Sequence, residues 1–139
     1  MKTKSILIAL ALSIGLFTIS CDKDDNEGET IAPIEGKWNL SKIGTTNGST
    51  ETLIEPPQNA SGCDRDYLNL TFEKTATTGD YDSTISNCAL TTRAGTFSKS
   101  DSNLTTVIEG VTTNYVILNL TLSELKLKDG SGAIWVYIR

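Results

Sequence analysis

Alternation of apolar and polar positions with a period of two runs through much of the chain. In DYLNLTFEK, Leu68, Leu70 and Phe72 fall on one side while Tyr67, Asn69, Thr71 and Glu73 fall on the other. NYVILNLTLS repeats the pattern with Val116, Leu118, Leu120 and Leu122. Successive side chains alternate across a strand, so both runs predict half-buried β-strands. In ELKLKDGSGAIWVYIR, Leu125 and Leu127 alternate with Lys126 and Lys128, a turn follows at Asp129-Gly130-Ser131-Gly132, and Ile134, Val136 and Ile138 share one face of the next strand. That is the pattern of a hairpin.

GKWNLSKI, STETLIE, GDYDSTIS, LTTRAGTFS and NLTTVIE extend the series, separated by Gly, Asn, Asp and Ser. Together they predict about eight short strands at the spacing of an antiparallel sandwich or barrel, and the abundance of threonine favours strands over helices. The one long connection runs from Gly44 to Gly62, with Asn47-Gly48, Pro56-Pro57 and Ser61-Gly62 as turn signals. No internal repeat interrupts the series.

The amino-terminal residues follow another logic. Residues 1–20 combine Lys2 and Lys4 with an apolar run from Ile6 to Phe17, too short for the roughly 20 residues of a membrane-spanning helix, and predict a cleaved secretion signal. The Ser20-Cys21 junction resembles the lipobox of bacterial lipoproteins, although Thr18 stands where an aliphatic residue is usual. By that resemblance Cys21 becomes an acylated first residue, anchoring the protein in a membrane through several fatty chains. Residues 21–34, rich in Asp and Glu, read as a solvated tether. CDKDDNE also resembles the export signal of Bacteroidota surface lipoproteins, which implies an outer-membrane location with the domain displayed at the cell surface; in proteobacterial sorting Asp22 directly after the cysteine would instead argue for retention at the inner membrane, and the whole acidic cluster favours the surface.

Without Lys2 and Lys4 the chain keeps 10 basic and 17 acidic residues, a net charge of −7. This balance repels phosphate backbones and gives no basic stripe, so nucleic acid is not expected as a partner. Residues 35–139 suffice for one modest domain. Cys63 and Cys88 remain after Cys21 is used, and outside the cytoplasm such a pair is expected to form a disulfide. Neither CxxC spacing nor any histidine supports a redox or metal site instead.

Gly36-Lys37-Trp38 opens the first strand of the domain, the paired cysteines follow, and Gly95-Thr96-Phe97 comes later. This order resembles the lipocalin-like domain of small Bacteroidota lipoproteins. The resemblance implies an all-β, compact up-and-down antiparallel barrel of about eight strands, with Trp38 plugging one end and Arg139 as the candidate to pack over its indole. Leu40, Leu68, Leu70, Phe72, Leu118, Leu120, Leu122, Leu125, Leu127, Ile134 and Val136 are then expected to point inward. An interior of this width is either filled by side chains or holds one small molecule. A small apolar ligand would meet Trp38, Leu40, Leu70, Phe72, Leu118 and Leu120, beneath a lid formed by the Gly44–Gly62 stretch.

With no histidine the usual general base, zinc ligand and Ser-His triad are missing, so a non-catalytic protein without cofactor or metal is expected. Asp64/Asp66 and Asp80/Asp82 are spaced to share a strand face but read as solvated loop carboxylates. Asp82-Ser83-Thr84 resembles the short acceptor motif of Bacteroidota O-glycosylation. Two functions follow: a lipid-anchored barrel that holds a small hydrophobic ligand, or a solid-cored surface module that meets a protein partner or inhibits an enzyme.

Overall fold

A computed structural model describes residues 32–57, 59, 62–85 and 87–139. The expected signal, Cys21 and the tether up to residue 31 lie outside them. Nine strands occur among the described residues: β1 Gly36–Asn47, β2 Thr50–Ile54, β3 Tyr67–Leu70, β4 Thr75–Asp82, β5 Ala89–Ser100, β6 Asn103–Ile108, β7 Val111–Leu120, β8 Glu124–Asp129 and β9 Ala133–Ile138. All pairings between them are antiparallel.

Strand β1 closes the ring. One of its edges pairs with β3 through Gly36–Asn39 and with β2 through Ile43–Asn47, while the other pairs with β9. Eight strands therefore form a closed up-and-down barrel, β1-β3-β4-β5-β6-β7-β8-β9, and β2 extends the wall at one end. Closure leaves few unpaired backbone groups on the wall. The end that carries the entering chain and the β3–β4, β5–β6 and β7–β8 turns is called the closed end below.

Trp38, Leu68, Leu70, Ala76, Phe97, Leu104, Leu125 and Leu127 are buried together in the lower barrel, with Ile108, Tyr115, Ile117, Leu120 and Tyr137 packed against them. Large aliphatics fill this part of the interior, so it is solid. Ile34 joins the same cluster and Ala32 is also buried, so the chain is packed ahead of the expected domain start at Glu35.

The closed end is held by a clasp. The Trp38 Nε1–H donates to the Ile34 carbonyl at 2.7 Å, and the Arg139 guanidinium lies 3.8 Å above the indole centroid. Arg139 Nε donates to the Leu122 carbonyl, Nη1 to that of Glu35 and Nη2 to that of Pro33. One planar cation thus covers the ring and ties both the entering chain and the β7–β8 turn to the last strand. Gly36 is required here on two counts: its φ is +134°, and a Cβ would stand 2.8 Å from Arg139 Nη1.

Several inward positions expected from periodicity are corrected. Phe72 is 77% exposed, because β3 ends at Leu70. The Thr71 N–H donates to the Thr75 carbonyl, the Thr71 and Thr75 hydroxyls lie 2.7 Å apart, and Lys74 has φ +64°, so Phe72 stands on a tight turn. Leu118 faces outward because the β7–β8 register shifts between Ile117 and Asn119, and this bulge returns Leu120, rather than Leu118, to the core face. Leu122 lies beyond the strand, where the Thr121 hydroxyl accepts the Ser123 and Glu124 N–H groups and forms the turn.

Ile134 and Val136 are buried, but on the outer face. Leu125 pairs with Tyr137 and Leu127 with Trp135, which puts the two aromatics inside and sets Ile134 and Val136 beside Lys128 and Lys126. The Lys126–Glu51 ion pair runs across this outer face from β8 to β2. The strand expected in GDYDSTIS instead begins earlier, at Thr75, and Ser83–Ile85 form a turn around Asp82, whose carboxylate accepts the Thr84 N–H and hydroxyl.

Replacing Arg139 with alanine removes a charged donor from three carbonyls and should cost about 2 kcal/mol in urea unfolding, with Arg139→Lys recovering less than half. The Lys74 ammonium, 2.8 Å from the Glu35 carboxylate, holds Glu35 below the usual carboxylate value of 4.5. A lowered folded pKa contributes stability above pH 4.5 that disappears as pH falls through the folded value. The stability difference between the parent and Lys74→Met should therefore be present at neutral pH and shrink under acid titration.

Candidate functional site

The upper barrel differs from the lower. A row of directly opposed residues crosses four strands there: Ile54 on β2, Ile43 on β1, Trp135 on β9 and Leu127 on β8. The row begins in the core at Leu127, 1% exposed, and reaches solvent at Ile54, 55% exposed. A second row, Thr52–Thr45–Ala133, lies one step further out. The side chains of these rows other than Leu127, with Gly44 and Ile134, line an apolar cleft of about 410 Å³, within the size range of small-molecule sites.

Local sequence explains the shape. A Cβ on Gly44 would stand 1.9 Å from the Thr52 carbonyl oxygen and 2.8 Å from Leu53 Cδ2, so only glycine lets β2 press against β1 at this point. The β1–β9 register shift between Leu40 and Lys42 comes just before. The β8–β9 turn is fixed by Asp129, whose Oδ1 accepts the N–H groups of Ser131 and Ala133 and the Ser131 hydroxyl. These bonds, led by the Ser131 hydroxyl, hold the Asp129 carboxyl below its ordinary range.

Aromatic groups stand behind the cleft. Tyr115 meets Trp135 edge to face, with centroids 5.5 Å apart. Burial pushes the Tyr115 phenol up, opposed by hydrogen bonding with Thr113 and Thr106. Burial, and then Tyr115 and Asp66, push the Tyr137 phenol well above the ordinary tyrosine value, so it stays a neutral O–H at physiological pH. The chemistry offered is thus an apolar wall with one indole and two threonine hydroxyls, the indole backed by the Tyr115 ring. No group of three or more His, Cys, Asp or Glu placed to hold a metal occurs among the described residues.

The connection between β2 and β3 crosses beside this end. Pro56 is fully buried, and Pro57 borders a depression shared with Asp80, Tyr81 and Thr91. The Leu40 carbonyl, at the gap between β2 and β3, accepts from Asn59 Nδ2 and Arg65 Nη1, and Arg65 meets Glu55 at 3.6 Å. The Cys63–Cys88 disulfide joins this connection to the β4–β5 loop. Asp66 Oδ1 adds a bond from the Tyr81 N–H at 2.8 Å. Of the expected Gly44–Gly62 lid, Gly44–Asn47 and Thr50–Ile54 are strand, and only the part beyond Ile54 can serve as a lid.

The residues expected to touch a ligand are not gathered here. Trp38, Leu40 and Leu70 are buried in the barrel, Phe72 stands on its turn, and Leu118 and Leu120 border a broad depression towards the closed end with Lys99, Asp101 and Ser102. That depression mixes Ile117, Leu118, Leu120 and Leu122 with charged and hydroxyl side chains, and Trp38, Leu40, Leu70 and Phe72 do not line it. Ile43, Thr45, Thr52, Ile54, Ala133 and Trp135 were the residues that periodicity missed. For Ala133 and Trp135 the signal was β9 itself, AIWVYI, apolar on both faces.

A family model describing a lipocalin-like domain matches residues 34–127, and the chain belongs to that family. Among solved structures it is similar to a lipocalin-like protein from Bacteroides uniformis, with 14% identity and a TM-score of 0.58 over 76% of this chain and 96% of the other. An uncharacterized protein from Bacteroides eggerthii gives 10% identity and a TM-score of 0.58 over 76% of this chain and 98% of the other. At these identities the likeness concerns the fold. No curated protein matches the sequence.

Removing the disulfide by Cys63→Ser with Cys88→Ser frees a loop of 25 residues, and should lower stability by about 3 kcal/mol on the chain-entropy account. Urea unfolding checks the loss. Amide exchange should locate the loosening in residues 62–66 and 82–90, with Leu125 and Leu127 still protected.

Proposed function

We propose that this protein is a non-catalytic, lipid-anchored barrel of the cell envelope that holds a small apolar ligand in the cleft beside Trp135. The observation that carries the reading is the Ile54–Ile43–Trp135 row, which runs from the packed interior to apolar surface open to solvent. Burying an exposed side chain of this size contributes about 1.5–3 kcal/mol, enough to support retention of a ligand that covers two or three of them. The hydroxyls of Thr45 and Thr52, which line the cleft, would offer a hydrogen bond to a carbonyl or hydroxyl on the ligand. A Cys21 anchor and display at the outer membrane belong to the same reading, supported by the signal sequence and acidic tether.

A second reading rests on its own observation. Ile85, Leu90 and Val111 are exposed around the same end, the first on the β4–β5 loop and the last beside the β6–β7 turn. Such scattered apolar points suit a protein partner that grips loops, as an inhibitor or adhesion module does.

Titration with a hydrophobic fluorescent probe separates the two. The ligand reading expects stoichiometric uptake with quenching of Trp135, and Ile54→Asp or Ile43→Asp should weaken uptake by about tenfold or more. No uptake by the folded parent would overturn it. Labelled palmitate entering the parent but not Cys21→Ser checks the anchor, and protease shaving of intact cells checks display.

A further inference from the structure

The closed end carries features that neither barrel packing nor the cleft uses. Phe72 on the β3–β4 turn is 77% exposed and Leu122 on the β7–β8 turn is 63% exposed. Four strands separate the two turns around the ring, so they lie on different sides of the end. The entering chain runs between them: the Leu122 carbonyl is bound by Arg139, Arg139 binds Pro33 and Glu35, and Glu35 pairs with Lys74, two residues from Phe72. Two apolar tips therefore bracket the point where the chain arrives from Cys21.

We infer that this end is a membrane-contacting face, with Phe72 and Leu122 entering the lipid surface on either side of the tether. The inference rests on the anchored reading above. Ten residues separate Cys21 from Ala32, a reach of roughly 35 Å at full extension. β1 is twelve residues long, and with the tilt of barrel strands it sets the open end roughly 30 Å from the closed one. A bilayer that holds Cys21 therefore meets the closed end first, and only a tether drawn out almost fully along the barrel would bring the open end to it. An aromatic and an aliphatic residue raised on polar turns suit the headgroup boundary, where apolar side chains leave water while backbone groups stay hydrated. Lys37, Lys74, Lys99 and Arg139 stand near this end against Glu35, Glu73, Asp101 and Glu124, so the face is close to neutral on a chain that is net negative. Seated this way, the barrel presents its cleft away from the bilayer.

Vesicles with brominated acyl chains test this when residues 21–139 are coupled through Cys21 to a maleimide phospholipid, the Cys63–Cys88 bond remaining closed. The coupling supplies the anchor chemically, so the result is independent of acylation in cells. Phe72→Trp and Leu122→Trp are each compared with the parent, whose own tryptophans set the background. At both tips the added emission should fall by at least half relative to vesicles of unbrominated lipid, while Val111→Trp at the opposite end should be unaffected. Added emission that survives bromination at either tip, or quenching at position 111, overturns the proposal. Failure of palmitate to enter Cys21 in cells would instead defeat the anchored reading and leave the vesicle result standing.

Discussion

The stacking of the Arg139 guanidinium on Trp38 is the contact on which the rest depends. Trp38 stands on the first barrel strand and Arg139 follows the last, so a single cation–ring contact spans the seam where the cylinder closes. The three carbonyls that Arg139 binds come from the entering chain and the β7–β8 turn, so one side chain fixes both to the last strand. Gly36 follows from the same geometry, since its left-handed backbone and bare Cα leave room for the guanidinium. The Gly-x-Trp signature thus has a mechanical meaning in this chain: the glycine clears the path, and the tryptophan is the surface on which the arginine rests.

Above that clasp the barrel changes character because β1 serves three neighbours. Its lower half pairs with β3 and its upper half with β2, and at the handover the Leu40 carbonyl is bound by side chains instead of a strand. The wall widens where this occurs. Filled interior below and open apolar cleft above are therefore consequences of one strand changing partners, with Gly44 permitting the second partner to come close. The disulfide and the Arg65–Glu55 pair hold the connection that this change makes necessary.

Much of this was legible in the residues. Leu68, Leu70, Leu125 and Leu127 alternate with polar partners and lie where alternation puts them, and the Cys63–Cys88 bridge followed from counting thiols. Alternation misled where the backbone interrupts it. The Thr71–Thr75 turn ended β3 two residues before Phe72, and the bulge at Leu118 shifted the parity of β7, since one extra residue changes which side chain faces the core. In β9 both faces are apolar, so periodicity could not tell whether Ile134 and Val136 or Trp135 and Tyr137 point inward. Pairing with β8 settles it, because Leu125 and Leu127 admit only the aromatics on their side. The cleft was hidden for the same reason: it depends on which residues stand opposite across three strands, a relation that no single segment contains.

The separation of a solid floor from an adjustable rim makes the barrel a natural scaffold for retargeting. Thr45, Thr52 and Ala133 sit on the outer row of the cleft, one step removed from the Leu127 end of the inner row. Libraries confined to those three sites would vary what is recognised while leaving the clasp, the closing seam and the packed floor as they are.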